Sequence, residues 1–199
     1  LGLAEQGFET FLVEKERELG GNIRNLHYLP KDNPQEKLKE TIKKVTENEK
    51  IHVYTNAKIK NIDGYVGNFH TVLEVDGKEH KIEHGAVIVA VGAREYKPTE
   101  YLYGKDERVK TQMELESMLA SGELQQINTA VIIQCIGCRN DVRPYCSRVC
   151  CGHAVKNALE LRKKGTSVYV LCKDIRTYGF NESLYREASE RGVVFLRYD

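Results

Sequence analysis

A chain of 199 residues with 30 Lys and Arg against 29 Asp and Glu carries a formal net charge of +1, and 41% of its residues are apolar. That balance excludes the basic excess of a nucleic-acid module and the charge imbalance of a disordered chain, and the longest strongly apolar run, Gly85–Ala93, falls far short of the ~20 residues that cross a bilayer. No charged-then-apolar signal segment opens the sequence, so its six cysteines read as reduced thiols of a cytoplasmic protein.

Leu1–Gln6 has no starting Met and no N-cap, and Gly7 suits the position just past a helix end, so the chain is expected to begin inside a helix. Phe8–Glu14 follows as a short buried strand ending in an acid, then Lys15-Glu-Arg-Glu-Leu-Gly-Gly21 as a polar turn. This is half of a βαβ unit. Its first strand and glycine-rich turn are expected upstream of Leu1, which makes the sequence a fragment of a longer protein.

Pro34–Asn48 is charged and helical in pattern, with Leu38, Ile42 and Val45 on one face. Three strands are expected at Ile51–Tyr54, Ala57–Tyr65 and His70–Val75, and Asp76-Gly77 makes a hairpin turn into Lys78–Glu83, the whole forming a small antiparallel insert. Ala86-Val-Ile-Val-Ala-Val-Gly-Ala93 reads as a parallel strand covered on both faces. Arg94–Arg108 has no clear period and suits a connection, and Gln112–Ala120 reads as a short helix. A second alternation then runs through strand Ala130–Cys135, helix Cys150–Lys164 capped by Gly165, strand Ser167–Cys172, helix Glu182–Arg191 and strand Val193–Arg197, which implies a parallel sheet. The expected fold is α/β in two domains. Residues 1–97 form the partial first domain, 98–126 a connection with a short helix, and 127–199 a second α/β domain carrying most of the cysteines.

Glu14 ends the second strand of its unit, where doubly wound dinucleotide folds place an acid on the adenosine ribose. Taken alone, it reads more readily as an exposed acid at a strand end. Gly20, Gly21 and Gly92 add places where backbone can approach a ligand closely. The cysteines carry more. Cys135, Cys146, Cys150 and Cys151 have the spacing C-x10-C-x3-C-C and supply four thiolates from a strand end, a loop and a helix start, the ligand set of a 4Fe-4S cluster. The helix N-terminus near Cys150 and Cys151, with Arg139, Arg143 and Arg148, favours the deprotonated form. Cys135-Ile-Gly-Cys138 is also a C-x-x-C pair, which leaves open a zinc site using Cys138 and three others, although adjacent cysteines suit tetrahedral zinc poorly. His153 reads as a helix-surface histidine, Cys172 as a buried core thiol, and the Tyr96–Tyr103 group as packing at an interdomain or subunit contact. No Ser-His-Asp or paired-carboxylate pattern suggests hydrolysis.

Val13-Glu14-Lys15-Glu16 with Leu19-Gly20-Gly21, followed by Ala86–Arg94, resembles the FAD domain of flavoproteins with two dinucleotide-binding domains, such as thioredoxin reductase. Tyr96-Lys-Pro-Thr-Glu-Tyr-Leu-Tyr-Gly104, Gln134-Cys-Ile-Gly-Cys-Arg139, Arg143-Pro-Tyr-Cys-Ser-Arg-Val-Cys-Cys151 and Asp174-Ile-Arg-Thr-Tyr-Gly179 together resemble the A-type subunit of heterodisulfide reductase, over nearly the whole chain. The resemblance implies a truncated Rossmann-like FAD domain and a second Rossmann-like parallel α/β domain. It also implies an FAD- and 4Fe-4S-containing electron-transfer subunit, which in methanogens takes part in flavin-based electron bifurcation toward the coenzyme M–coenzyme B heterodisulfide. Partners would be the other subunits of that complex, with no nucleic acid and no membrane insertion, and the isolated fragment would be inactive. By position, Glu14 would hold the adenosine ribose with Lys15 beside it, Gly20, Gly21 and Asn22 would line the flavin side, Gly92 would pack on the cofactor, and Ala57 would meet the adenine through its backbone. The same comparison assigns Cys135, Cys146, Cys150 and Cys151 as ligands and puts Cys138 where relatives usually carry serine.

Two other functions stay open. One is an FAD- and NAD(P)H-dependent disulfide reductase of the thioredoxin reductase type, which needs a glycine-rich nucleotide turn after the strand Ala130–Gln134; this sequence has Cys-Ile-Gly-Cys-Arg there, so the expectation is that a cluster replaces the nucleotide. The other is a zinc-stapled structural module.

Overall fold

The computed structural model describes residues 1–28, 33–179 and 181–198. Its opening helix α1 (Gly2–Glu5) ends at Gly7, whose φ of +89° is the left-handed conformation expected after a helix end. β1 (Thr10–Val13) follows, then the polar turn and a short 3-10 helix, Gly21–Asn25. α2 (Pro34–Thr46) starts where its sequence dictates: Asn33 accepts the N–H groups of Gln35 and Glu36, and Pro34 takes the first turn, where a missing N–H costs nothing. Leu38 and Val45 are its buried face.

β2 (Ile51–Tyr54) pairs in parallel with β1, Thr10 opposite Ile51 through Val13 opposite Tyr54. The expectation that Ile51–Tyr54 belongs to the antiparallel insert is therefore corrected. With α2 between them, β1 and β2 form a β-α-β crossover, which places the second strand beside the first and parallel to it. The antiparallel sheet consists of β3 (Ala57–Tyr65), β4 (Asn68–Val75) and β5 (Lys78–His84), in that order. Asp76 and Gly77, both at positive φ, make the two-residue turn between β4 and β5 that matches strand twist.

Residues 86–93 join no ladder among the described residues, which corrects the expected parallel strand. A strand of that composition needs neighbours on its edges and covers on its faces. The described part of this unit supplies neither, so Ile88, Val89 and Val91 are exposed.

The second unit contains α3 (Gln112–Ser121), β6 (Thr129–Ile133), α4 (Cys150–Lys163), β7 (Ser167–Cys172), α5 (Asn181–Glu190) and β8 (Val194–Arg197). A capping box starts α3: Thr111 accepts the Glu114 N–H while the Glu114 side chain accepts that of Thr111. The end of α4 is a Schellman motif, with Thr166 N–H bonded to Leu161 O and Gly165 N–H to Arg162 O. β6, β7 and β8 form a parallel sheet in sequence order. α4 lays Ala154, Val155, Ala158 and Leu161 into a core shared with Ile132, Val168 and Val170.

The chain divides into two compact units, one of Leu1–Arg24 and Asn33–Ala93, the other built on Arg94 onward and the segment that starts at Asn25. Among the described residues no helix is long and apolar enough to cross a membrane.

Candidate functional site

The cysteine-bearing loop leaves the C-terminal end of β6, the end of a parallel sheet at which doubly wound folds bind ligands. Cys135 turns it out of the strand direction with a φ of +64°, a left-handed conformation that costs a non-glycine residue about 1–2 kcal/mol. Cys138 N–H donates to Cys135 O (3.3 Å), closing the C-x-x-C turn. The loop then folds back on itself: Arg139 N–H donates to Tyr145 O (3.1 Å) and Asn140 N–H to Arg143 O (3.2 Å), while Asn140 Oδ1 accepts from Val142 and Arg143. This return brings Cys138 and Cys146 to the two sides of the closure. Arg148 N–H points at Cys146 Sγ (3.4 Å), and two residues further α4 begins at Cys150.

Val149, the N-cap of α4, offers no side-chain cap, so the first-turn N–H groups remain available. The Cys150 thiol is shifted down, first by the hydrogen bond from Cys151 and then by the Ser147 hydroxyl and the N–H groups of Cys150 and Cys151, against its own burial. Its neighbour Cys151, the donor in that bond, is shifted up. Cys138 is also raised, by burial first and then by Cys150, Cys135 and Cys146, so these thiols are close enough to feel one another's charge. Arg139 lies with Nη1 3.8 Å from Cys135 Sγ and pairs with Asp174, which Arg176 also holds (3.2 Å). Tyr96 packs its ring on Gly137 and receives Arg143 over its face at 5.1 Å. Cys172 is buried as expected, its thiol donating to Leu196 O.

The donor set suits a thiolate-ligated cluster. Soft sulfurs come from a strand end, a loop and a helix start, backbone N–H groups point at two of them, and arginines flank the loop to offset negative charge. Gln134, immediately before Cys135, leaves Oε1 as a buried acceptor without a partner among the described residues. Among the described residues no three His, Cys, Asp or Glu side chains close to the spacing of a single metal ion.

The residues expected to hold a flavin all lie in the first unit and fall into two groups. Glu14 and Ala57 meet directly: Ala57 N–H donates to Glu14 O (3.0 Å), and the Glu14 carboxylate accepts the Glu16 N–H (2.9 Å). Lys15 is exposed and pairs with Glu16 (3.5 Å). Around the other group, Asn22 Nδ2 donates to Ala93 O (2.7 Å), tying the Gly20-Gly21 turn to the backbone beside Gly92. Gly20 and Gly92 both take positive φ, and a Cβ on Gly20 would stand 2.9 Å from Leu38. A half-buried carboxylate at the end of β1 and glycine backbone nearby suit an adenosine ribose and a closely packed cofactor.

One cluster escaped the sequence reading. Glu116 on α3 is fully buried and accepts from His153 Nε2 (2.6 Å), Lys156 Nζ (2.8 Å) and the His27 N–H (2.8 Å). Burial works to raise its carboxyl, but those hydrogen bonds prevail and hold it at about 2. Lys156 also donates to Tyr28 O (3.0 Å) and lies 4.7 Å from the centre of the Tyr28 ring. His153 is thus no surface histidine: its ring faces α3 from the helix that carries Cys150 and Cys151, because a buried carboxylate there needs donors. The available signal was a charge inside an apolar stripe, Lys156 next to Val155 and Glu116 next to Leu115.

No family model matches the chain. The A-type subunit of the H(2):CoB-CoM heterodisulfide,ferredoxin reductase of Methanothermobacter thermautotrophicus is 26% identical over a 295-residue stretch that takes in 99% of this chain and 45% of the relative. The chain is homologous to the A-type subunit of heterodisulfide reductase. The corresponding subunit of Methanococcus maripaludis, from an H(2)/formate:CoB-CoM heterodisulfide,ferredoxin reductase, is 28% identical with the same coverage, and that of the Methanosarcina acetivorans ferredoxin:CoB-CoM heterodisulfide reductase is 34% identical over 57% of the chain. The chain therefore spans less than half the length of these relatives, and inside the matched stretch they carry residues with no counterpart here. The fold agrees with two solved reductases. The thioredoxin reductase of T. acidophilum superposes with a TM-score of 0.54 at 11% identity over 96% of this chain and 57% of its own. The bacillithiol disulfide reductase of Bacillus cereus gives 0.51 at 14% identity over 98% of this chain and 62% of its own.

Proposed function

We propose that this chain is the FAD- and 4Fe-4S-binding portion of a cytoplasmic electron-transfer subunit in a heterodisulfide-reductase-like complex, working with partner redox subunits in electron bifurcation. The observation that carries the reading is the folded-back loop that bears Cys135 and Cys146 and runs from the C-terminal end of β6 to the start of α4 at Cys150 and Cys151, where a pyridine-nucleotide reductase keeps its glycine-rich turn. Homology over 99% of the chain to subunits with that name supports it.

When bound, the flavin supplies exchange of one or two electrons and the cluster a one-electron relay. The residues of the chain hold and tune these groups. Glu14 accepts the ribose hydroxyls, with its own geometry fixed by the Glu16 N–H and Lys15 close by. Ala57 presents backbone to the adenine, while Gly20, Gly21, Asn22 and Gly92 let the chain lie close to the cofactor. The four cysteines ligate as thiolates, favoured by the uncapped start of α4, and Arg139 beside Cys135 offsets their charge.

A disulfide reductase of the thioredoxin reductase type is disfavoured by the Cys-Ile-Gly-Cys-Arg turn after β6, and a zinc staple by the adjacent Cys150 and Cys151, which suit a tetrahedral zinc site poorly. Anaerobic reconstitution of the full chain tests all three. About four irons and four sulfides per chain, with an EPR signal on dithionite reduction that Cys146→Ala removes, is the expected result. Zinc alone, or NADPH binding detected by calorimetry in the cluster-loaded chain, would overturn the reading.

A further inference from the structure

Cys138 has no part in the ligand set above, yet it is built into the same loop. Its N–H closes the turn on Cys135 O at 3.3 Å, and a turn closed in this way keeps the two Cα atoms within about 7 Å, the upper range in which a disulfide can form. The turn is braced from outside. Gly137, at φ +71°, lies so close under the Tyr96 ring that a Cβ would stand 2.5 Å from it, and Arg143 sits over the same tyrosine. Both thiols are free and half-buried, within reach of a small molecule. Arg139 Nη1 lies 3.8 Å from Cys135 Sγ, so a fixed positive charge stands beside the sulfur that attacks the disulfide.

We propose that Cys135 and Cys138 are a reversible dithiol-disulfide pair whose closure withdraws Cys135 and blocks cluster assembly. The oxidant is a low-molecular-weight disulfide such as glutathione disulfide. Cys135 thiolate attacks one of its sulfurs, the S–S bond breaks and one glutathione leaves as thiol. Cys138 then attacks the mixed disulfide at Cys135 Sγ, forming the Cys135–Cys138 bond and releasing the second glutathione. Two electrons pass from the protein thiols to the oxidant, and the two thiol protons end on the two glutathione molecules. The effect on the cluster rests on the proposed function, whereas the disulfide itself does not.

Trypsin places both cysteines, and no others, on one peptide running from Thr111 to Arg139, so mass spectrometry reads the pair directly. The full, cluster-free chain is treated with glutathione disulfide, alkylated and digested. The expected peptide is two hydrogens lighter than the dithiol and carries no alkyl group or glutathione. Both cysteines alkylated, a glutathione retained on Cys135, or Cys138 bonded to another cysteine would each overturn the proposal. In parallel, iron uptake by the oxidised chain should fall at least about fivefold and return with dithiothreitol, while oxidised Cys138→Ala and Cys138→Ser, which lack the resolving thiol, should keep one glutathione on the Thr111–Arg139 peptide instead of the internal disulfide. Undiminished uptake by the oxidised wild-type chain would overturn the blocking role. If the reduced chain assembles no cluster, the function proposed above fails, and the peptide mass still decides the disulfide.

Discussion

Replacing Glu116 by Gln removes one negative charge from the centre of the second unit and leaves Lys156 and His153 facing a neutral amide. The carboxyl is held at about 2 against an ordinary 4.5, and the side chain is fully buried. At ~1.4 kcal/mol per unit, that shift amounts to about 3.5 kcal/mol of stability at neutral pH. Breaking a buried ion pair from one side costs roughly the same, about 3–5 kcal/mol. The readout is amide hydrogen exchange in α4, which carries both side-chain donors to Glu116; exchange at pH 7 should accelerate about three-hundredfold in Glu116→Gln. The pH dependence has a definite sign. Because the folded pKa is depressed, the stabilisation is complete above the unfolded value of 4.5 and is lost as pH falls toward about 2, so the gap between wild type and variant should close across that range. A change below about fivefold at pH 7, or a gap that stays constant from about pH 6 to pH 3, would refute the reasoning.

Other substitutions test separate parts of the structure. Gly137→Ala should cost about 1–2 kcal/mol from backbone conformation alone, besides displacing the Tyr96 ring, and should lower cluster occupancy in the iron assay. Gly64→Ala would put a Cβ 2.1 Å from Asn68 O, so the hairpin of β3 and β4 should open, seen as a loss of about 2 kcal/mol or more in urea unfolding followed by far-UV circular dichroism. Glu14→Gln should weaken FAD binding about tenfold or more, as expected for a lost charged hydrogen bond, in a titration followed by flavin fluorescence; an unchanged Kd would remove Glu14 from the ribose site.

Elements whose signals are local were legible in the sequence. β7 and the β4–β5 turn follow directly from an apolar run ahead of Lys173 and from Asp76-Gly77, and α4 is fixed by its apolar stripe and Gly165. Pairing was less legible, because it depends on partners: Ile51–Tyr54 has strand character in either sheet, and only the crossover through α2 assigns it to β1. Residues 86–93 have the composition of a central strand, but composition cannot supply neighbours. For the candidate site, spacing was enough to find the cysteines, whereas the fold-back at Asn140 that brings Cys138 beside Cys146 depends on side-chain acceptance by Oδ1. The Glu116 network was hidden because each member looks like an ordinary helix-surface charge until α3 and α4 pack together.

The exposed run from Ala86 to Val91 affects how the chain behaves in a test tube. It has six consecutive residues with no charge and no proline, most of them strong strand formers, and its backbone joins no ladder among the described residues, the composition from which intermolecular sheets nucleate. Pairing between copies is bimolecular, so precipitation should steepen with protein concentration while each unit stays folded. The substitution Val89→Lys, at a position that is 77% exposed and buries little, would act as a gatekeeper and raise solubility without touching either cofactor site.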